Sequence, residues 1–342
     1  MDHFWLGMAI IFFSGVFNGS FALPMKFIRR WHWENLWLVF ALVGILAMPI
    51  LLAITFVPRW GEVLRGTSSH ALAYPLVFGF LWGIAQVTFG LGIKAMGMAF
   101  AFAVVSGLAC LSGSLAPLLV LNPSDLFRSR GLFLLASMPL LFLGLILCGK
   151  AGRRREKDLS FPGSTPESPG GKFMTGLAIC IFTGIFGSSF NLGFAFSGDI
   201  LRKSMELGAR QVTATYGVWA LVFSAGFIPN LLYCVYLLFR NSSWSLFREA
   251  GWMREAMLAV AMALLWLGGV TSYGIGAILV GRYGTSVGFV LFMASSILSA
   301  NVLGLLTGEW KAAQTGTRRL LWAGVAAILA SILVLNLGGV LA

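Results

Sequence analysis

The sequence predicts an all-α integral membrane protein of ten transmembrane helices, arranged as two inverted five-helix repeats. Three observations predict it. Of the 342 residues, 58% are hydrophobic and only 11% charged, with a mean hydropathy of +0.88, so too few polar groups remain to cover a water-facing surface. The apolar residues fall into runs of the length a bilayer core demands, about 20 residues per helix. Finally, the pattern of residues 7–27 recurs at 176–196.

The first run, 4–25, lacks a basic leader before it and continues into Phe21-Ala22-Leu23-Pro24 without a small-residue cleavage pattern, so it reads as a membrane helix and not a cleaved signal. The second covers 34–57. The third, 72–93, and the fourth, 97–120, are separated only by Lys94 and a turn at Gly97. The fifth, 131–149, runs into the longest polar connection, 150–172, which holds Lys150, Arg153, Arg154, Arg155, Lys157 and Lys172 and then a Ser/Pro/Gly stretch. That is linker composition, and it divides a first repeat, 1–149, from a second, 173–342. The second repeat supplies runs at 173–196, 212–239, 254–279, 284–306 and 319–341. The eighth and ninth are split only by Gly281-Arg282-Tyr283-Gly284.

The net charge of +12 sits in short blocks between the apolar runs. With no basic domain and no nucleic-acid motif, it reads as membrane topology rather than nucleic-acid binding. Odd-numbered connections carry 16 of the 24 Lys and Arg residues, which places them in the cytoplasm and both termini outside. The four cysteines, Cys110, Cys148, Cys180 and Cys234, form no CxxC and read as small buried hydrophobes.

The duplication rests on two alignments. Residues 7–27 and 176–196 share ten of 21 positions at a constant offset of 169, among them Gly7/Gly176, Gly15/Gly184, Ser20/Ser189 and Phe21/Phe190. Residues 81–97 and 265–281 match at Leu81/Leu265, Trp82/Trp266, Gly90/Gly274, Gly92/Gly276 and Gly97/Gly281. Helix 1 thus corresponds to helix 6 and helix 3 to helix 8. Because each repeat has an odd number of spans, the second enters the membrane from the opposite side. Inverted repeats of this kind put a solute site near the midplane, where the repeats meet, and reach it by alternating access.

No acidic residue falls mid-span. Glu34, Asp199, Glu255 and Glu309 lie nearest the helix ends and read as interfacial carboxylates. No intramembrane cluster of His, Asp and Glu, no HExxH and no nucleophile elbow is present in the sequence, so an enzyme is not expected. The spans hold uncharged hydrogen-bonding groups instead, and in hydrocarbon these must face other helices or a wet cavity. The candidates for binding a solute are Asn18 on helix 1, Trp82, Gln86 and Phe89 on helix 3, Asn191 on helix 6, Trp266 and Tyr273 on helix 8, and Ser295 on helix 9. Trp82, Gln86 and Phe89 share one helical face by their spacing, and Trp266 is the repeat partner of Trp82. Amides that bond hydroxyls beside rings that cover C–H faces suit a small neutral sugar.

The stretch Pro24-Met25-Lys26…Arg30-Trp31-His32-Trp33-Glu34-Asn35-Leu36-Trp37 resembles the P-x-K…W-x-W-E-x-x-W segment of bacterial L-rhamnose–proton symporters, within the drug/metabolite transporter superfamily. Trp82-Gly83-Ile84, Gly90-Leu91, Gly97-Met98 and Glu309-Trp310 look like further landmarks of that family. The resemblance implies a secondary transporter of the cytoplasmic (inner) membrane that imports L-rhamnose or a similar neutral deoxysugar with a proton as coupling ion, without a bound cofactor or metal. It also implies a sugar contact at Gln86. The chain departs from the family pattern at Gly284-Thr285-Ser286, where polar and acidic residues are expected, and at Phe292, where a histidine is expected. An exporter of the same superfamily would share these features.

Overall fold

The computed structural model describes residues 2–96, 98–121, 123–159, 170–308, 310–311 and 313–340. Among them ten helices are long and apolar enough to cross a membrane, and no strand occurs. They are α1 (His3–Phe27), α2 (Trp33–Phe56), α3 (Ser69–Gly92), α4 (Val104–Leu121), α5 (Gly131–Arg155), α6 (Met174–Glu206), α7 (Ala214–Arg240), α8 (Trp252–Tyr283), α9 (Val287–Leu306) and α10 (Thr315–Leu335). Large apolar side chains such as Phe13, Ile54, Leu232 and Leu333 point outward. Lipid accepts such a surface and water does not.

Several spans are not continuous α-helices, and local chemistry explains why. In α1 the α-helix ends at Ser20 and the chain resumes as a 3₁₀ turn, Leu23–Phe27, with Pro24 near its start. Proline lacks the N–H that an α-helix would need there. In α6 the helix stops at Gly187, restarts over Ser189–Ala195, and restarts again over Gly198–Glu206. The span therefore extends ten residues past the expected 196. In α2 a π-helical segment, Ala41–Ala47, precedes Met48-Pro49. Pro49 would clash with the carbonyl four residues earlier in a regular helix, and the wider π turn gives it room.

Two expected boundaries moved. The helix containing α5 runs on to Leu159, so the first ten residues of the 150–172 connection continue the span. The next helix already begins at Gly170, and residues 160–169 lie outside the described ones, as do Gly97 and Glu309. The break between α8 and α9 is a 3₁₀ turn, Gly281–Tyr283. It is made possible by Gly281 at a φ of 77°, which side-chain-bearing residues seldom adopt.

Helices of opposite halves make the central packing. α1 lies along α8 and α9, α6 lies along α3 and α4, and α5 pairs with α10. The α1–α8 crossing depends on paired glycines. A Cβ added to Gly7 would sit 2.9 Å from the Gly276 carbonyl oxygen, and one on Gly276 would sit 2.9 Å from that of Gly7. With no side chain on either, the backbones touch. Bonded hydroxyls and amides cross the same seams: Asn18 Nδ2 donates to Ser296 Oγ between α1 and α9 (3.1 Å), Ser112 and Ser188 pair between α4 and α6 (2.7 Å), and Thr88 and Thr183 pair between α3 and α6 (2.7 Å).

Candidate functional site

At the middle of the bundle the two halves meet through aromatic rings. Trp82 of α3 stacks on Trp266 of α8, with centroids 5.6 Å apart and planes 18° from parallel. Phe223 of α7 packs against both (5.3 and 4.9 Å), Phe40 of α2 meets Trp266 edge-on (5.8 Å), and Phe190 of α6 meets Trp82 (6.2 Å). All five are buried, so neither tryptophan belongs to a lipid-interface belt. Ring pairs of this geometry contribute roughly 0.5–1.5 kcal/mol each beyond area burial. Neither the Trp82 nor the Trp266 indole N–H bonds to a described residue. Both donors remain available for hydroxyls.

Gln86 lies one helical turn from Trp82 on α3. It is half-buried, and its amide makes no hydrogen bond to a described residue. An amide with spare donors and acceptors beside a stacked indole pair is the constellation that a sugar requires.

The other sequence candidates are placed differently. Asn191 and Tyr273 are brought together: the Tyr273 hydroxyl donates to Asn191 Oδ1. Asn191 Nδ2 donates to the backbone oxygens of Gly113 (2.7 Å) and Thr285 (2.8 Å). Asn191 thus spends its hydrogen bonds tying the interrupted α6 to α4, α8 and the start of α9. Phe292 packs on the Tyr273 ring at 4.9 Å. Ser295 is buried, bonds back to Leu291 and Phe292 of its own helix, and fits against Gly15. Asn18 is committed to Ser296. Phe89 packs with Ala101, Val105 and Cys180 in a separate cluster from the tryptophans.

Residue type alone pointed to none of Trp219, Phe223 and Phe190, yet they complete the ring cluster. Trp219 is fully buried, its ring is stacked between Phe194 and Phe223 (4.7 and 5.3 Å), and its indole nitrogen is an unpaired donor facing Gly274. An open crevice of about 550 Å³ lies elsewhere, between α4, α5 and α6, lined by apolar residues with Lys150 and Arg153 at one end. None of the candidate residues lines it, and its walls offer a sugar few hydrogen bonds.

Above and below the ring cluster, polar contacts join the halves at both ends of the bundle. At the end of the odd-numbered connections, the stretch that includes Trp31–Trp37 forms a clasp with the α7–α8 connection. The Trp31 indole donates to the Leu246 oxygen (3.1 Å), and Asn35 Nδ2 donates to the Ser243 oxygen (2.8 Å). Glu34 Oε1 accepts from Asn241 Nδ2 (2.9 Å) and Ser243 Oγ (2.7 Å). Glu255 accepts from the Arg29 backbone N–H (3.1 Å) and pairs with Arg254 (2.9 Å).

At the other end, Asp125, after α4, meets Arg282, after α8, at 2.5 Å and Arg128 at 3.4 Å. Glu34, Glu255 and Asp125 are buried at 3%, 2% and 0% relative exposure. Glu34 and Glu255 lie in the first turns of α2 and α8, at the span ends as expected, but protein covers them. Asp199, by contrast, is exposed and pairs with Arg202 at 3.1 Å.

A family model described as L-rhamnose-proton symport protein (RhaT) matches residues 3–340 of the chain. The chain is similar to an L-rhamnose-proton symporter of Mannheimia succiniciproducens, 23% identical over 341 residues and covering 97% of each chain. It is likewise similar to L-rhamnose-proton symporters of Cronobacter sakazakii, 21% identical over 325 residues, and Yersinia pestis, 20% identical over 325 residues, each alignment covering 93% of both chains.

Proposed function

We propose that this chain, which belongs to the L-rhamnose-proton symport protein (RhaT) family, imports L-rhamnose or a closely related neutral deoxysugar across the bacterial cytoplasmic membrane together with a proton. The observation that carries this reading is the Trp82–Trp266 stack with the unbonded Gln86 amide one turn away. It lies where the halves meet, it offers ring faces for the C–H side of a methyl pentose, and it holds hydrogen-bonding groups that the protein does not use. The rings separate as the sugar enters.

The inverted five-helix repeat is part of the same proposal, and the packing supports it. Exchanging the halves turns the pair α1–α8 into α6–α3 and the pair α1–α9 into α6–α4, and it returns α5–α10 to itself; all of these pairs are in contact. The seam hydroxyls follow the same exchange. Ser112 and Ser296 are related by the 184-residue offset that aligns 81–97 with 265–281, and each bonds across to the first span of the opposite half. Rocking of one half on the other supplies alternating access, with both termini periplasmic by the distribution of basic residues.

Purified protein in liposomes tests the function. An inward proton gradient drives saturable accumulation of labelled L-rhamnose, and addition of sugar alkalinises a weakly buffered exterior. Absence of saturable uptake for every member of a deoxysugar panel would reject it. A fluorescent or enzymatic reporter at the C-terminus that works only in the cytoplasm would reject the topology if active.

A further inference from the structure

Three spans leave a gap on the outer surface of the bundle. α4 packs against both α5 and α6, while α5 and α6 scarcely touch each other among the described residues. The crevice of about 550 Å³ lies between them. Its walls include Val104 and Leu108 of α4, Phe142 and Ile146 of α5, and Leu177 and Ile181 of α6. Ile146 and Ile181 are exposed, as are Leu143 and Ile185 on the same two helices. The crevice therefore opens on the lipid-facing surface.

In hydrocarbon such a gap is filled. Left empty, its lining loses the dispersion contacts that a chain would supply, and apolar walls give water too few partners. Charge selects the occupant. Lys150 and Arg153 stand at one end of the crevice, on the same stripe of α5 as Phe142 and Ile146. The rise from Phe142 to Arg153 is about 16 Å at about 1.5 Å per residue, close to half the thickness of a bilayer core, about 15 Å. Apolar walls with cations at the end of the span thus match one leaflet's depth of acyl chain with a headgroup above it. Lys150 pairs with no carboxylate among the described residues, whereas Arg155 packs on the Trp310 ring. Both crevice cations lie at the end of the odd-numbered connections, where most of the basic residues are found. Anionic lipids are concentrated in the cytoplasmic leaflet, and basic pockets between helices on that side bind their headgroups.

We propose that the α4–α5–α6 crevice is a binding site for one anionic phospholipid, with an acyl chain along its apolar walls and the phosphate on Lys150 and Arg153. The site goes beyond the sugar reading and shares no residue with the Trp82–Trp266 cluster. The Arg153 guanidinium offers paired donors to phosphate oxygens, and Lys150 adds a compact charge. Zwitterionic phosphatidylethanolamine carries the same phosphate, but both cations repel its ammonium. The preference is therefore for a headgroup of net negative charge, such as phosphatidylglycerol.

Native mass spectrometry of the full chain tests this in an equimolar mixture of phosphatidylglycerol and phosphatidylethanolamine with identical chains. The wild type should retain phosphatidylglycerol in preference. Lys150→Ala/Arg153→Ala should lower that preference at least fivefold, since one basic residue near the membrane surface contributes about 1 kcal/mol, or about fivefold. Ile181→Trp keeps both charges, fills the crevice from an exposed position, and should also lose the lipid. Arg29→Ala/Arg248→Ala removes the same charge from exposed positions on the same side and should leave retention unchanged. Phosphatidylglycerol with a diazirine in its acyl chain should label peptides holding 104–108, 142–146 and 177–181 more than 228–239 of α7, where Ile228, Leu232 and Phe239 face outward. Equal retention of the two lipids would mean that any acyl chain fills the crevice, and overturns the proposal. An equal loss in Arg29→Ala/Arg248→Ala would reduce the effect to diffuse surface charge and overturns it too, as does labelling no stronger than at 228–239. Rhamnose transport enters none of these readouts, so failure of the sugar reading and failure of this one are distinguishable.

Discussion

The two ends of the bundle close by different chemistry. At the clasp, Glu34 is hydrogen-bonded by neutral groups without a permanent cation, and much of the rest of the contact is backbone: Trp31 on Leu246, Asn35 on Ser243, Arg29 on Glu255. At the opposite end, Asp125 has cations at 2.5 and 3.4 Å but no N–H directed at either oxygen with hydrogen-bond geometry. Glu34 at one end is held by directional bonds from neutral groups, and Asp125 at the other by attraction to two arginines.

Arg282→Ala should have the largest effect. It leaves Asp125 fully buried with only the more distant Arg128, and stranding a buried charge costs about 3 kcal/mol or more. Thermal unfolding in detergent should show a clear drop in midpoint. The double variant Asp125→Ala/Arg282→Ala should recover at least half of it, because the stranded charge is then gone. A neutral single variant would mean that the pair does not seal this end.

Asn241→Ala should cost less, about 1.5–2 kcal/mol, since it removes one hydrogen bond to a carboxylate and leaves Ser243 in place. In a Glu34→Gln background the same substitution should cost about 1 kcal/mol or less, as expected for a bond between neutral groups. A double-mutant cycle measures the difference. Equal costs in both backgrounds would show that the charge on Glu34 contributes nothing to the clasp.

Gln86→Ala lies between the seals and should disturb neither. It should raise the half-saturating rhamnose concentration about tenfold, corresponding to about 1.4 kcal/mol for a lost bond to substrate, with folded yield unchanged. Equal losses of uptake and yield would make Gln86 a packing residue.

The contrast between the ends was hidden in the sequence for a physical reason. Hydropathy reports how deep a residue lies, and the ten spans follow from it because each one must satisfy its own backbone in lipid. Partners are another matter. The donors to Glu34 stand at 241 and 243, two spans into the second half, so a carboxylate at the start of a helix looked like an interfacial one. The Trp31–Trp37 stretch was legible as a family mark but not as a clasp. Trp82 and Trp266 could be paired in the sequence because the match between 81–97 and 265–281 aligns them. Trp219 and Phe223, with no such alignment, could not be told from other aromatics on an apolar helix. The π turn in α2 and the continuation of α6 to Glu206 depend on packing around Pro49 and on restarts after short breaks, neither of which leaves a periodic signal.

Salt gives the smallest and most direct test of the difference between the ends. The Debye length falls from about 10 Å at 0.1 M to about 3 Å at 1 M, so added salt weakens attraction between charges wherever ions can approach. Asp125 is buried, but Arg282 and Arg128 are about half and two-thirds exposed, so screening reaches the pair from the arginine side only. The expected loss is at most about 0.5 kcal/mol. The clasp bonds to Glu34 are short and directional, and their donors carry no charge to screen. Rising sodium chloride should therefore lower the unfolding midpoint of the wild type slightly more than that of Asp125→Ala/Arg282→Ala. Asn241→Ala should keep the wild-type salt slope. The reverse result, a slope abolished by Asn241→Ala and kept by the double variant, would assign the charge-dependent seal to the Glu34 end and invert the comparison.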